Sequence, residues 1–307
     1  MKSNTTSGPW QKGTLHVHTN QSPCGHYPLA AVLENYSNPV LGYDFIAITD
    51  HCVLTGIPPS TCTQRLLVFP GVEYKQEKLQ FLGINITKYE DNGNVLGNHS
   101  QLFADVQQQG GFSIICHPHI YQNGYWPLED LLQLEGFLGI EIFNQNVKMN
   151  NSGRAVATDI WDSLLTAGKR VWGFAGDDMH HYSRMGGAYL MVQTADRTLS
   201  GIQNALVSGR FYSSTGITIE CIEWIGRDER NHWNESKGSA LRITVDPVTA
   251  ASGGIRFIGD EGKVLHLAEN ARIATYQVDT SVSYIRAEVY RDDGAFAWTQ
   301  PFFIQEE

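Results

Sequence analysis

The stretch Gly13-Thr14-Leu15-His16-Val17-His18-Thr19 reads as the first buried β-strand of the chain. Successive side chains of a strand point to opposite faces, so His16 and His18 share one face and Leu15 and Val17 the other. Two imidazoles converging at a strand end can grip one divalent cation. Alone, such a pair is equally well two surface histidines. Four later stretches add weight, each offering metal-type ligands just past a strand-like run: Thr49-Asp50-His51, Gly71-Val72-Glu73, Cys116-His117-Pro118 and Gly176-Asp177-Asp178-Met179-His180.

Working outward, Tyr43 to Thr49 is a β-branched, apolar run suited to a strand covered on both faces, and it delivers Asp50 and His51. Leu66 to Phe69 delivers Glu73 after Pro70-Gly71, Phe112 to Cys116 delivers His117, Leu138 to Phe143 ends at Asn144, and Arg170 to Ala175 runs into Asp177-Asp178. Gln80 to Ile86 and Ala188 to Thr194 are further strands. Helical spacing covers Pro28 to Tyr36, Ser100 to Gln109, Leu128 to Leu134, Arg154 to Ala167 and Leu199 to Val207. This alternation predicts parallel strands with crossover helices. An open sheet concentrates ligands at one switch point, whereas a barrel gathers every strand end on one rim. Ligands from so many strand ends therefore favour a barrel.

A chain of 307 residues suggests about two domains. Past residue 215 the character changes to short strand-like runs (Thr218 to Ile225, Ala240 to Val245, Gly254 to Ile258, Ala274 to Val278, Tyr284 to Tyr290, Phe296 to Ile304) broken by turn residues. That pattern suggests a β-sandwich. The expected division is a barrel over 1–215 and a smaller all-β, sandwich-like domain over 216–307 without a ligand cluster, serving packing, lid or recognition. A net charge of −10 and a pI near 5.5 disfavour nucleic acid and anionic membranes as partners. The apolar runs fall far short of the roughly 20 residues of a membrane helix. The polar first dozen residues show no secretory signal, which reads as cytoplasmic. Cys24, Cys52, Cys62, Cys116 and Cys221 are an odd, scattered set that fits a reducing compartment.

Taken together, the motifs resemble the PHP (polymerase and histidinol phosphatase) family of metal-dependent phosphoesterases over roughly residues 12–215. The resemblance is carried by His16-Val17-His18-Thr19, by Gly42-Tyr43-Asp44 leading into Ile48-Thr49-Asp50-His51, and by Pro70-Gly71-Val72-Glu73. Gly110-Gly111 leading into Cys116-His117-Pro118, and Gly176-Asp177-Asp178-Met179-His180, complete it. It implies a distorted seven-stranded (β/α) barrel of α/β class and two or three divalent transition metals. His16, His18, Glu73 and Asp178 would hold the first; Glu73 would bridge to a second that adds His117; His51 and His180 would serve a third. Mixed imidazole and carboxylate ligands suit Zn, Mn or Fe. The implied reaction is hydrolysis of a small-molecule phosphate ester by a metal-bound hydroxide. Asp178, His180 and Arg154 are expected to carry the catalysis.

The chain departs from the family pattern in two places. Ser22 is followed by Pro23-Cys24-Gly25 where many members carry Asp or His, with His26 or Cys24 as stand-ins. Gln80 occupies a place often held by His, with His119 or His99 as substitutes or simply exposed residues. Asp50 and Asp177 precede ligands and are expected to orient rather than bind, and His181 reads as surface. Alternation turns Cys116 toward the helices as a buried structural thiol. For the phosphate, Arg154 comes first, because a guanidinium can make two hydrogen bonds; Lys148 and Arg184 are the other cations. Tyr121, Tyr125 and Trp126 offer an apolar wall. Two further readings stay open: hydrolysis of a non-phosphate bond on the same centre, and a metal-binding module without catalytic activity.

Overall fold

The computed structural model describes residues 8–58, 65–76, 79–89, 99–121, 125–225, 239–249 and 252–304. The first part of the chain runs β1 (Trp10–Thr14), α1 (Leu29–Tyr36), β2 (Phe45–Ile48), β3 (Leu67–Gln76), β4 (Leu79–Ile84), α2 (His99–Gln108) and β5 (Phe112–Ile115). It continues through α3 (Leu128–Gln133), β6 (Gly139–Asn144), α4 (Gln145–Asn150), α5 (Thr158–Thr166), β7 (Trp172–Gly176), β8 (Tyr189–Gln193), α6 (Leu199–Val207) and β9 (Phe211–Ser214).

Parallel pairing joins β1 to β2 to β3, and β5 to β6 to β7. Between these groups β4 runs antiparallel to both β3 and β5, a departure from the all-parallel expectation. The cause is simple: residues 77–78 alone separate β3 from β4, and a parallel return needs a dozen residues or more. At the ligand-bearing end a parallel bridge between Val17 and Met179 joins the continuations of β1 and β7. His18 N–H donates to Met179 O at 3.0 Å and Met179 N–H to His16 O at 3.3 Å. In place of the expected seven-stranded barrel there is a sheet whose first and last strands meet at one bridge, with β8 pairing antiparallel to β1 and β9 antiparallel to β8.

Phe45, Phe69, Leu82, Ile114 and Phe174 meet in one cluster closed by Ile202 and Leu206 of α6. Trp161, Leu164 and Leu165 of α5 pack with Ile140 and Ile142 in a second, and Val32, Leu33 and Tyr36 of α1 cover Ile46 and Ile48 in a third. The alternation of apolar side chains along these strands supplies both faces. α5 begins four residues later than the apolar spacing suggests. Asn144 N–H donates to Ala155 O, and Phe143 bridges Val156, so the segment holding Arg154 runs extended beside the end of β6. The short α4 has no apolar periodicity to announce it. It is fixed by the Asn144 side chain, which accepts from Val147 N–H at 2.9 Å as an N-cap.

The remaining strands are β10 (Ile219–Ile225), β11 (Ala240–Val245), β12 (Gly253–Ile258), β13 (Val264–Glu269), β14 (Ile273–Gln277), β15 (Tyr284–Arg291), β16 (Phe296–Thr299) and β17 (Phe302–Phe303). This all-β region forms two layers, β10-β11-β14 and β13-β12-β15-β16. Ile219, Leu241, Ile243, Ile255, Phe257, Ile285 and Ala287 fill the space they share. The sheet does not stop at residue 215, because β9 pairs with β8 on one edge and β16 on the other. The Gln300 amide satisfies both backbone groups of Gly173 on the edge of β7. Among the described residues, no helix is long and apolar enough to cross a membrane.

A buried ion pair ties the two parts. Arg286 Nε and one of its terminal nitrogens donate to the two Asp162 oxygens at 2.8 and 2.7 Å, and Tyr284 OH donates to Asp162 Oδ1 at 2.9 Å. Removing one partner of such a pair leaves a charge stranded out of water. Asp162→Ala is expected to cost about 3–5 kcal/mol in denaturant unfolding; a loss under about 1 kcal/mol, the range of an exposed pair, would contradict this.

Candidate metal centre

Glu73 is the middle of the site. It lies in β3, fully buried, with Oε2 at 3.2 Å from His16 Nε2, 3.2 Å from His18 Nε2 and 3.0 Å from His51 Nδ1. Its other oxygen is 3.2 Å from His117 Nε2. Asp178 Oδ1 faces the same atoms from the far side, 3.3 Å from His16 Nε2, 3.4 Å from His18 Nε2 and 3.2 Å from His180 Nδ1. All seven residues expected as ligands therefore converge, six from beyond the ends of β1, β2, β5 and β7 and Glu73 from within β3. Two of them, His117 at φ 26° and Asp178 at φ 47°, adopt left-handed backbone conformations that turn their side chains inward.

The outer contacts of two imidazoles fix which nitrogen faces the centre. His16 Nδ1 lies 2.8 Å from Glu141 Oε1, a carboxylate that only accepts, so this nitrogen carries the proton and Nε2 faces Glu73 and Asp178. Ser22 Oγ gives its hydrogen to Asp50 Oδ1 at 2.7 Å and so accepts from His18 Nδ1 at 2.9 Å. Among the described residues, His18 Nε2 and Asp178 Oδ1 are buried without hydrogen-bond partners, as is His117 Nδ1. Lone pairs of acceptor atoms pointing at one another in a buried space suit a divalent cation, and a mixed imidazole and carboxylate set suits Zn, Mn or Fe. The donors gather in three overlapping groups: His16, His18 and Asp178; His16, Glu73, Cys116 and His117; and His18, His51 and His180.

The titration of these groups reflects the same crowding. Burial works against the charged form of Glu73 and of Asp178, yet His16 beside both, joined at Asp178 by His180, holds each well below its ordinary carboxylate value. Burial would lower His16, but Asp178, Glu141 and Glu73 carry it well upward. At the rim Cys24 Sγ lies 3.1 Å from His180 Nε2. Burial raises this thiol, while His180 and His51 outweigh that effect and bring it to about 6. A cation replaces protons on such ligands, so metal affinity rises with pH as they are released.

Several expected roles change. Asp50 orients His18 through Ser22 and also holds Thr19 and Thr55, touching no imidazole itself. Asp177 turns away and accepts from Tyr36, Tyr43, Gly186 N–H and Ala188 N–H, with burial raising it to about 6. Cys116 is buried but faces the centre, not the helices. Simple alternation would oppose it to His117, and the left-handed turn at His117 breaks that rule. His99 is a core histidine among Phe81, Phe103 and Trp126, and His119 pairs with Asp159 at 3.0 Å, so neither completes the second group. Gln80 stays beside His51, at 3.4 Å from Nδ1, held by Tyr125 OH.

Above the centre opens a cleft of about 980 Å³. Cys24, His26, Lys75, Gln80, Tyr121, Tyr125 and Arg184 are among its lining residues. Arg154 does not line it; its guanidinium engages Asp159 and His119. Lys148 lies over the Phe143 ring, and Trp126 is buried beneath the wall that Tyr121 and Tyr125 form. Arg184 instead faces the cleft, donating through Nε to Asn146 Oδ1 at 3.2 Å and through a terminal nitrogen to Asn150 Oδ1 at 2.6 Å. Asn146 Nδ2 donates to Asp178 Oδ2 at 3.3 Å, linking guanidinium and ligand through α4. Sequence reading missed Glu141, Asn146 and Asn150. A carboxylate inside the apolar run Leu138 to Phe143 was the available signal for Glu141, since a buried charge needs a partner.

Neither a protein-family model nor a curated protein matches the chain. Among solved structures it is similar to a two-domain protein from Bacteroides vulgatus ATCC 8482 containing a predicted PHP-like metal-dependent phosphoesterase. That likeness has a TM-score of 0.46 and 17% identity, over 100% of this chain and 92% of the other. It is also similar to PsfC from Pseudomonas syringae PB-5123, with a TM-score of 0.45 and 16% identity, over 66% of this chain and 89% of that one. The first carries the family description that the motifs suggested; the chemistry rests on the side chains themselves.

Because Glu141 fixes the His16 tautomer, Glu141→Ala is expected to weaken metal binding about 10–100-fold. Competition with a chromophoric chelator reads this directly, and an unchanged affinity would remove Glu141 from the site.

Proposed function

We propose that the chain is a metal-dependent phosphoesterase acting on a small-molecule phosphate ester, with a PHP-type barrel of seven strands over 1–215 and a bracing β unit over 216–307. The observation that carries this reading is the Glu73 carboxylate set among four imidazoles with Asp178 opposite. In this proposal His16, His18, Glu73 and Asp178 hold one divalent ion, Glu73 and His117 contribute to a second, and His51 and His180 to a third. Such ions supply charge neutralisation at a phosphoryl group and lower the pKa of water toward neutrality.

The chain's own residues do the rest. Glu141 and the Ser22–Asp50 pair keep Nε2 of His16 and His18 turned inward. Asp178 binds at the centre and passes its second oxygen to Asn146, which aims Arg184. We assign to Arg184 the phosphate-gripping role that the sequence suggested for Arg154, since Arg184 faces the cleft and a planar guanidinium meets two phosphate oxygens at once. Lys75 adds a second positive charge to the lining. Tyr121 and Tyr125 contact the organic part of the ester, and their placement over the centre keeps bulk water from one side of it.

A panel of phosphate mono- and diesters assayed with added manganese is expected to find turnover that disappears in Asp178→Ala. Arg184→Ala should raise KM more than it lowers kcat, because it removes binding common to substrate and transition state. Turnover of carboxylic esters or amides in place of phosphate esters would move the reading to a non-phosphate hydrolase. No turnover on any substrate would favour a metal-binding module.

A further inference from the structure

The geometry points to a thiolate-containing metal site at the mouth of the cleft, in which Cys24 joins His51 and His180 and selects a thiophilic ion such as Zn(II) or Fe(II) over Mg(II) or Mn(II). It rests on the metal-centre reading above and adds to it a ligand and a preference. His180 Nδ1 lies 3.0 Å from the Asp178 carbonyl oxygen, which can only accept, so the neutral ring keeps its lone pair on Nε2. That nitrogen faces Cys24 Sγ at 3.1 Å. His51 Nδ1 faces the acceptor Glu73 Oε2 at 3.0 Å, which leaves its other nitrogen for a cation, and His51 and Cys24 line the same cleft. One ring nitrogen each of His18, His51 and His180 lies within 4.8 Å of the others, and His18 Nε2 is a buried nitrogen without a hydrogen-bond partner among the described residues.

The position of the thiol is set by the backbone. Asn20 N–H donates to Tyr27 O, Ser22 N–H to Thr19 O and Gly25 N–H to Ser22 O, closing the loop on itself. A side chain at residue 25 would put its Cβ 1.8 Å from Thr19 O, so glycine is required beside the cysteine. Metal–sulfur and metal–nitrogen bonds of about 2.3 and 2.0–2.1 Å at a tetrahedral angle separate the two donor atoms by about 3.5 Å, close to the spacing seen. Binding deprotonates the thiol and releases the proton to solvent, giving one thiolate and two imidazoles with a position open to the cleft. Thiolate ligands disfavour Mg(II) and Mn(II) and favour softer ions.

The test is titration of the metal-stripped full chain with Co(II), followed by absorption spectroscopy. A sulfur-to-cobalt charge-transfer band in the near ultraviolet is expected for the wild type and should vanish in Cys24→Ser, while visible d–d bands from the other sites persist. Visible bands without the sulfur band in the wild type would overturn this proposal and leave the metal centre standing. So would a sulfur band that survives Cys24→Ser and is lost in Cys116→Ser. Absence of every cobalt band would sink both readings.

Discussion

The centre depends on one costly fact: two carboxylates, Glu73 and Asp178, sit buried against the same imidazole nitrogen, His16 Nε2, at 3.2 and 3.3 Å. Two negative charges out of water repel strongly and lose hydration, so they persist only where positive charge or strong donors meet them. The imidazoles of His16, His18, His51, His117 and His180 answer that need. As neutral ligands they can share a divalent ion with the carboxylates in place of protons. Glu141, and Ser22 held by Asp50, then supply the outer acceptors that hold two of the rings in one tautomer.

Backbone conformation bears part of the cost. His117 and Asp178 occupy left-handed conformations that non-glycine residues avoid, a strain of about 1–3 kcal/mol each. Both lie immediately past strands, β5 and β7, where the regular ladder no longer dictates direction. The second part of the chain holds two elements of the first. Through Arg286, Tyr284 and Gln300 it grips α5 and the edge of β7, the strand that delivers Asp178.

Much of this was legible in the sequence, and the reasons are physical. Apolar runs ending in His, Asp or Glu located β1, β2, β3, β5 and β7 and their ligands, because a buried strand announces itself by composition and ligands cluster at strand ends. What alternation could not supply was the direction of a side chain beyond the strand, and so Cys116 was turned the wrong way. Arg154 reads as a rim residue because it follows the strand end at Asn144, but the helix begins only at Thr158 and the extended segment before it turns the guanidinium to Asp159 and His119. Asn146 and Asn150 matter through a capped turn with no apolar signature, and Ser22 through a hydrogen bond to an aspartate that lies 28 residues away in sequence. Such contacts exist only once the strands have assembled. The antiparallel β4 was missed as such because composition does not encode strand direction.

The central claim is that Glu73, Asp178 and the two histidines just past β1, His16 and His18, jointly hold a cation. Anomalous diffraction from crystals of the full chain grown with manganese or zinc, with data collected on both sides of the metal's absorption edge, tests it most directly. The account predicts a peak within bonding distance, about 2.0–2.2 Å, of His16 Nε2, His18 Nε2, Glu73 and Asp178. A map without a peak there, or with one held elsewhere on the chain, would contradict it.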